Sequence, residues 1–289
     1  MINASMVKEL RELTEAGMMD CKKALEECGG DIKKAQKWLK ENGLLKVAKK
    51  ESRIAAEGLA SIYVSGNNAL ILELNCETDF VSKNPEFKEL VDTFGNTILK
   101  SKVASLEEAL ELKSGATSLN DLLVEKTVKI GEKLSFRRFL RFVKKENQVF
   151  GSYIHLGGKI AALTILEGAT EEVAKDVAMQ GAAMKPIYLE IAAISGDIID
   201  ELKESFKKEA LNEGKPANII DKMVEGKLKK YYQENCLSEQ LYIKDDSMKI
   251  SEYVSKNKGV IISMERFEVG EGMSKRSEDF ATEVMNQLK

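Results

Sequence analysis

The sequence predicts an α+β fold: a small helical bundle, then a two-part core of small antiparallel sheets with helices, an antiparallel helical hairpin inserted in the second part, and a closing helix. Three observations lead there. Apolar residues recur at helical spacing from Ser5 to about Gly43. Two strand–turn–strand patterns follow, each running into an amphipathic helix. From Asp197 to about Tyr232 the chain becomes wholly helical on either side of a polar break.

In the first stretch, Val7, Leu10 and Leu13 or Thr14 share one helix face, which stops near Gly17. Asp20 reads as the N-cap of a second helix with Cys21, Ala24, Leu25 and Cys28 inward, ended by Gly29-Gly30. Asp31 caps a third, whose face is Ile32, Ala35, Trp38 and Leu39 and whose stop is Asn42-Gly43. Lys46 to Ser52, followed by Arg53, has few apolar anchors and reads as a basic linker.

Alternation in Ser61–Val64, a turn at Ser65–Asn68 and an apolar run from Ala69 to Leu74 make a β-hairpin. Asn84-Pro85 then opens a helix with Phe87, Leu90, Val91, Phe94 and Ile98 on one face. The pattern returns as Tyr153–His155, a Leu156-Gly157-Gly158 turn, Ile160–Leu166 and a helix from about Glu171 to Met184, with Pro186 beyond its end. This reads as a weak internal duplication of an α+β subdomain or as a chance similarity of two hairpins, and the sequence leaves both open. The helical hairpin carries Ile198, Ile199, Leu202, Phe206 and Ala210 on one arm and Ile220, Met223, Val224 and Tyr231 on the other, around a turn at Asn212–Pro216. A strand is expected at Val260–Val269, and Phe280, Val284 and Leu288 mark a last amphipathic helix over Asp279–Leu288. The division implied is a bundle over 1–53, core subdomains over 54–145 and over 146–188 with 233–268, the hairpin over 189–232, and a helical module over 269–289.

Composition narrows the function. Lys and Arg total 44 against 47 Asp and Glu, so a net charge of −3 gives no general attraction to phosphate backbones or anionic membranes. Direct nucleic-acid binding is disfavoured further by this acidic balance, and Lys227–Lys230 reads as a solvated helix flank. The four cysteines, Cys21, Cys28, Cys76 and Cys236, form no C-x-x-C pair and no dense disulfide spacing, which suits a reducing cytosol. No apolar run approaches the roughly 20 residues that cross a bilayer, and Met1 leads into a charged amphipathic segment rather than a signal peptide. A cytoplasmic protein is expected. One histidine, His155, leaves little room for imidazole catalysis or a His-based metal site. Neither a phosphate-binding P-loop nor a dinucleotide fingerprint occurs. A protein that is not an enzyme and has no cofactor or metal of its own is expected.

Two stretches carry a resemblance. The first is Leu10–Leu25, reading Leu-Arg-Glu-Leu-Thr-Glu-Ala-Gly-Met-Met-Asp-Cys-Lys-Lys-Ala-Leu. The second, more specific, is Glu73–Lys83, reading Glu-Leu-Asn-Cys-Glu-Thr-Asp-Phe-Val-Ser-Lys. Lys129-Ile130-Gly131-Glu132, Gly151-Ser152-Tyr153, Lys185-Pro186, Gly214-Lys215-Pro216 and Arg266–Gly272 agree in the same order. Together they resemble the elongation factor Ts family over essentially the whole chain. Glu15 departs from the smaller residue usual there.

The resemblance implies a ubiquitin-associated-like N-terminal bundle and a guanine nucleotide exchange factor for elongation factor Tu. It implies that Thr78, Asp79, Phe80 and Val81 enter the GDP-bound partner near its Mg²⁺ site, with Phe80 as wedge and Asp79 as its polar companion. Arg11, Met18, Met19, Lys22, Ile130, Gly131 and His155 are the implied partner contacts, and the helical hairpin is an arm for dimerisation or docking. On spacing alone each residue has a plainer reading. Phe80 is a core anchor, Asp79 a helix or turn cap, Met18 or Met19 a staple closing the bundle, and Arg11 and Lys22 solvated charges. Ile130-Gly131 merely ends a helix, and His155 is a strand residue. The rival functions are an enzyme, and an adaptor whose bundle binds helical or ubiquitin-like ligands while the remainder is scaffold.

Overall fold

A computed structural model describes residues 2–14 and 16–273. By internal contacts the chain falls into two compact units. Of the described residues, the first unit holds those up to Tyr63, Leu70–Arg141 and Glu268–Met273, the second Val64–Ala69 and Phe142–Phe267. The expected helix over Asp279–Leu288 and the departure at Glu15 lie outside the described residues.

The first unit begins with α1 (Ala4–Thr14), α2 (Met18–Glu27) and α3 (Ile32–Lys50). Leu10, Cys21, Ala24, Leu25 and Ala35 form their common core, the residues whose spacing marked inward faces. Two details differ from the sequence reading. The N-cap of α2 is Gly17, with Asp20 in the first turn, where its carboxylate accepts from Lys46 Nζ at 2.7 Å. Helix α3 also runs through Asn42-Gly43 and the supposed linker to Lys50. Gly43 is buried there, and a Cβ on it would stand 3.4 Å from the Val128 side chain. It is therefore a close-packing position rather than a stop.

Strands β1 (Glu57–Ser65) and β2 (Asn68–Cys76) form the first hairpin, turning at Gly66 with φ 56°. After β2 come α4 (Asp79–Lys83) and α5 (Pro85–Leu99). Helix α5 buries Phe87, Leu90, Val91, Phe94 and Ile98 on the sheet, and the Asn84 side chain caps it at Glu86 N, 2.8 Å. A helix not anticipated, α6 (Leu106–Glu111), precedes a small hairpin of β3 (Lys113–Ser114) and β4 (Thr117–Ser118). Helix α7 (Leu119–Ile130), ended by Gly131 at φ 87°, and strand β5 (Ser135–Val143) follow, with sheet order β1-β2-β5.

The second unit pairs β6 (Gln148–His155) with β7 (Ile160–Glu167) antiparallel, Gln148 opposite Glu167 and His155 opposite Ile160. Helix α8 (Glu171–Met184) packs Val173, Val177, Ala178 and Ala182 inward, as its periodicity required. Helices α9 (Gly196–Asn212) and α10 (Ala217–Asn235) form the expected hairpin. A small ribbon of β8 (Leu241–Tyr242) and β9 (Asp245–Lys249), helix α11 (Ile250–Lys256) and strand β10 (Val260–Glu268) follow, giving sheet order β10-β7-β6. In both sheets the late strand joins the second strand of the hairpin, and a long helix follows that second strand. The repeated sequence pattern thus accompanies a repeated topology.

Candidate functional site

The segment Glu77–Lys83 joins the buried strand β2 to α5, and its side chains divide between holding the turn and leaving it. Thr78 caps α4, its hydroxyl accepting from Val81 N at 3.4 Å. Val81 packs against the core of the first unit, and Ser82 is buried with its hydroxyl donating to the Asp79 carbonyl at 2.8 Å. Asp79 occupies the first turn rather than the cap and receives Lys83 Nζ at 2.6 Å. Phe80 is 80% exposed. It does not anchor the loop in the core, as its spacing alone would have it; an aromatic ring left this open is the informative exception to apolar burial.

Two carboxylates tie the turn to the chain after α7. Glu132 Oε2 accepts from the amides of Glu77 and Thr78, both at 3.0 Å, and its Oε1 accepts from the Thr78 hydroxyl at 2.6 Å. Reciprocally, Glu77 Oε1 accepts from Lys133 N at 2.6 Å and from the Arg53 guanidinium at 3.2 Å. The same brace fixes the exit of α7. Gly131, exposed and left-handed, ends that helix while its carbonyl accepts from Lys50 Nζ. Ile130 packs against the core of the unit, so at this position Gly131 offers backbone and Ile130 supports it. The braced turn is thus part of the same rigid edge as Ile130-Gly131.

A family model described as Elongation factor TS matches residues 77–271. The chain belongs to that family. Membership implies nucleotide exchange on elongation factor Tu during translation elongation, with that GTPase as partner. The match begins at the braced turn and includes Thr78, Asp79, Phe80, Val81, Ile130, Gly131 and His155.

The other candidate residues precede the matched segment. Met18 and Met19 open α2 and are 59% and 75% exposed, so neither closes the bundle as a buried staple. Arg11, in the last turn of α1, is exposed, and Lys22 on α2 lies 3.9 Å from Glu26. All of these belong to the first unit, as do the braced turn and Gly131. His155 belongs to the second unit, exposed at the end of β6 with its ring stacked on Tyr153 at a centroid distance of 6.0 Å. No described helix is long and apolar enough to cross a membrane.

Glu77 and Glu132 stand within the matching motifs, but nothing in the sequence around either marks a role. Their partners are distant in the chain, and no local pattern joins a residue after α7 to one after β2.

Proposed function

We propose that the chain binds the GDP form of elongation factor Tu and presses Phe80 into it beside the Mg²⁺ site, dislodging the ion and releasing GDP for exchange with GTP. The observation that carries this reading is a phenyl ring 80% exposed on a turn whose Thr78, Val81 and Ser82 are held by hydrogen bonds and packing. A wedge needs that pairing, since a mobile ring would yield instead of transmitting force. Mg²⁺ neutralises much of the diphosphate charge, so its loss weakens the remaining phosphate contacts. In this reading Asp79 accompanies the ring, while Thr78 and Val81 set its direction.

Arithmetic limits what the ring does alone. A thousandfold acceleration of release corresponds to about 4 kcal/mol at about 1.4 per tenfold, whereas burying one Phe contributes about 1.5–3 kcal/mol. Other contacts therefore share the work: Arg11, Met18, Met19 and Lys22 on the bundle, Ile130-Gly131 at the turn's edge, and His155 on the second core half. The methionines' flexible thioethers suit a partner helix. By linkage, nucleotide loosens the factor by the same free energy with which the factor loosens nucleotide. No bond is made or broken, so the chain is not an enzyme in the usual sense; it acts in the cytoplasm, and the helical hairpin pairs with a second copy or docks on the partner.

The test is stopped-flow release of fluorescent GDP from elongation factor Tu. Phe80→Ala is expected to slow stimulated release by about ten- to a hundredfold with an unchanged circular dichroism spectrum, because the ring contributes nothing to the core. A variant as fast as the parent overturns the wedge.

A further inference from the structure

We infer that Glu132 is a positioning residue for Phe80, setting the direction in which the ring leaves the turn. The inference rests on the proposed role of Phe80 and adds a residue that makes that role possible. Helix α4 spans only Asp79–Lys83, too short to hold its own direction, because a single turn fixes several torsions for one hydrogen bond. Something outside the helix must hold it.

Val81 and Ser82 anchor its far side by packing. Its near side is held by Glu132, whose two oxygens take the Glu77 amide, the Thr78 amide and the Thr78 hydroxyl. The hydroxyl has a single proton. Donated to Glu132 at 2.6 Å, it leaves a lone pair for Val81 N, the contact that caps α4. Glu132 thereby orients the cap as well as the backbone before it. Glu77 makes the arrangement two-sided by accepting from Lys133 N, so Glu132 cannot drift without disturbing the backbone that carries it. Phe80 lies between the packed and the braced ends, and its exposure follows from both.

The substitution Glu132→Gln separates the parts of this device. A glutamine oxygen still accepts from the two amides, but its NH₂ then faces the Thr78 hydroxyl, which must accept instead of donate. Glu132→Ala removes both. The maximal rate of GDP release at saturating factor is expected to fall about tenfold for Glu132→Ala and less for Glu132→Gln, with faster hydrogen exchange at the Glu77 and Thr78 amides in Glu132→Ala. Because Glu132 acts through the ring, adding Glu132→Ala to Phe80→Ala should change the rate by less than about twofold.

An unchanged maximal rate in Glu132→Ala overturns the inference alone. So does a loss as large in the Phe80→Ala background as in the parent, which would make Glu132 a direct contact. If Glu132→Ala does not fold, a parental rate in Glu132→Gln together with a parental rate in Thr78→Val overturns it. A Phe80→Ala variant as fast as the parent defeats the wedge itself and this inference with it.

Discussion

At the scale of single residues, Glu73 is a buried carboxylate held by several donors. It sits fully buried on β2, where an unpaired carboxylate would be strongly disfavoured. Its Oε1 accepts from Arg137 at 2.9 Å, Asn75 at 3.0 Å and the Gly270 amide at 2.9 Å, and its Oε2 from Arg138 Nε at 2.6 Å. Burial opposes ionisation, yet the Gly270 amide, Arg138, Arg137 and Asn75 together outweigh it and hold the carboxyl below its ordinary range. A depressed folded pKa contributes stability above the unfolded value, and that contribution is lost as pH falls through the folded one. The window therefore opens at the ordinary carboxylate pKa of 4.5 and extends downward. Glu73→Gln should lower stability at pH 7 by about 2–4 kcal/mol, and the gap to the parent should narrow by pH 3. Urea unfolding at the two pH values checks this; a gap independent of pH would mean that the fold does not shift the carboxyl's titration, and a gap that widens at pH 3 that the carboxyl is protonated in the fold.

At the scale of elements, each sheet meets its long helix through a glycine, and the two contacts differ in what could yield. A Cβ on Gly151 of β6 would lie 2.0 Å from the Ala174 carbonyl oxygen of α8, which also accepts from the buried Thr164 hydroxyl at 2.8 Å. A Cβ on Gly95 of α5 would meet the Tyr63 ring at 2.1 Å. Backbone cannot step aside, whereas a ring can turn even though its hydroxyl is bonded to Asp92 at 2.8 Å. Gly151→Ala should cost about 3 kcal/mol or more and Gly95→Ala about 1–3, compared by denaturation midpoints; equal costs would show that α8 shifts as readily as a side chain. The same scale explains what the sequence made legible. Helices α5 and α8 bury one regular face each, so their periodicity announces them. Strand β5 breaks its alternation, because Phe136 and Phe139 join one core at an odd spacing. In α3 a local stop at Asn42-Gly43 is overridden by packing on α7. At the turn the Glu-Thr-Asp-Phe motif marked the place, but from spacing Phe80 reads as core; the packing of Val81 and Ser82 on one side and the brace from Glu132, distant in sequence, on the other leave the ring outward.

At the scale of the whole molecule, the helical hairpin is an excursion with a closed base. Tyr188 and Cys236 form a parallel bridge, the Ile187 and Tyr188 amides both donate to the Asn235 carbonyl at 2.9 Å, and Leu237 N returns to the Tyr188 carbonyl at 2.9 Å. The chain thus leaves and re-enters the second unit side by side, at the roughly 4.8 Å spacing of paired strands. Beyond that base the arms serve each other. Ala210, Ile220 and Leu228 are buried, and Lys227 pairs with Glu209 at 2.6 Å while lying over the Phe206 ring. A flexible Gly and Ser linker long enough to carry the chain from Glu190 back to Glu234 closes that path at little entropic cost. Replacing residues 191–233 with such a linker should therefore remove the helical signal of α9 and α10 from the circular dichroism spectrum while leaving both sheets protected from hydrogen exchange. Stimulated GDP release should keep its dependence on Phe80, which belongs to the other unit. If the arm pairs with a second copy, sedimentation will shift from dimer to monomer in the deletion; if it lies along the partner, the factor concentration giving half-maximal release will rise with no change of mass. Loss of exchange protection in the β10-β7-β6 sheet would instead make the hairpin part of the core of its unit and refute the closed-base reading.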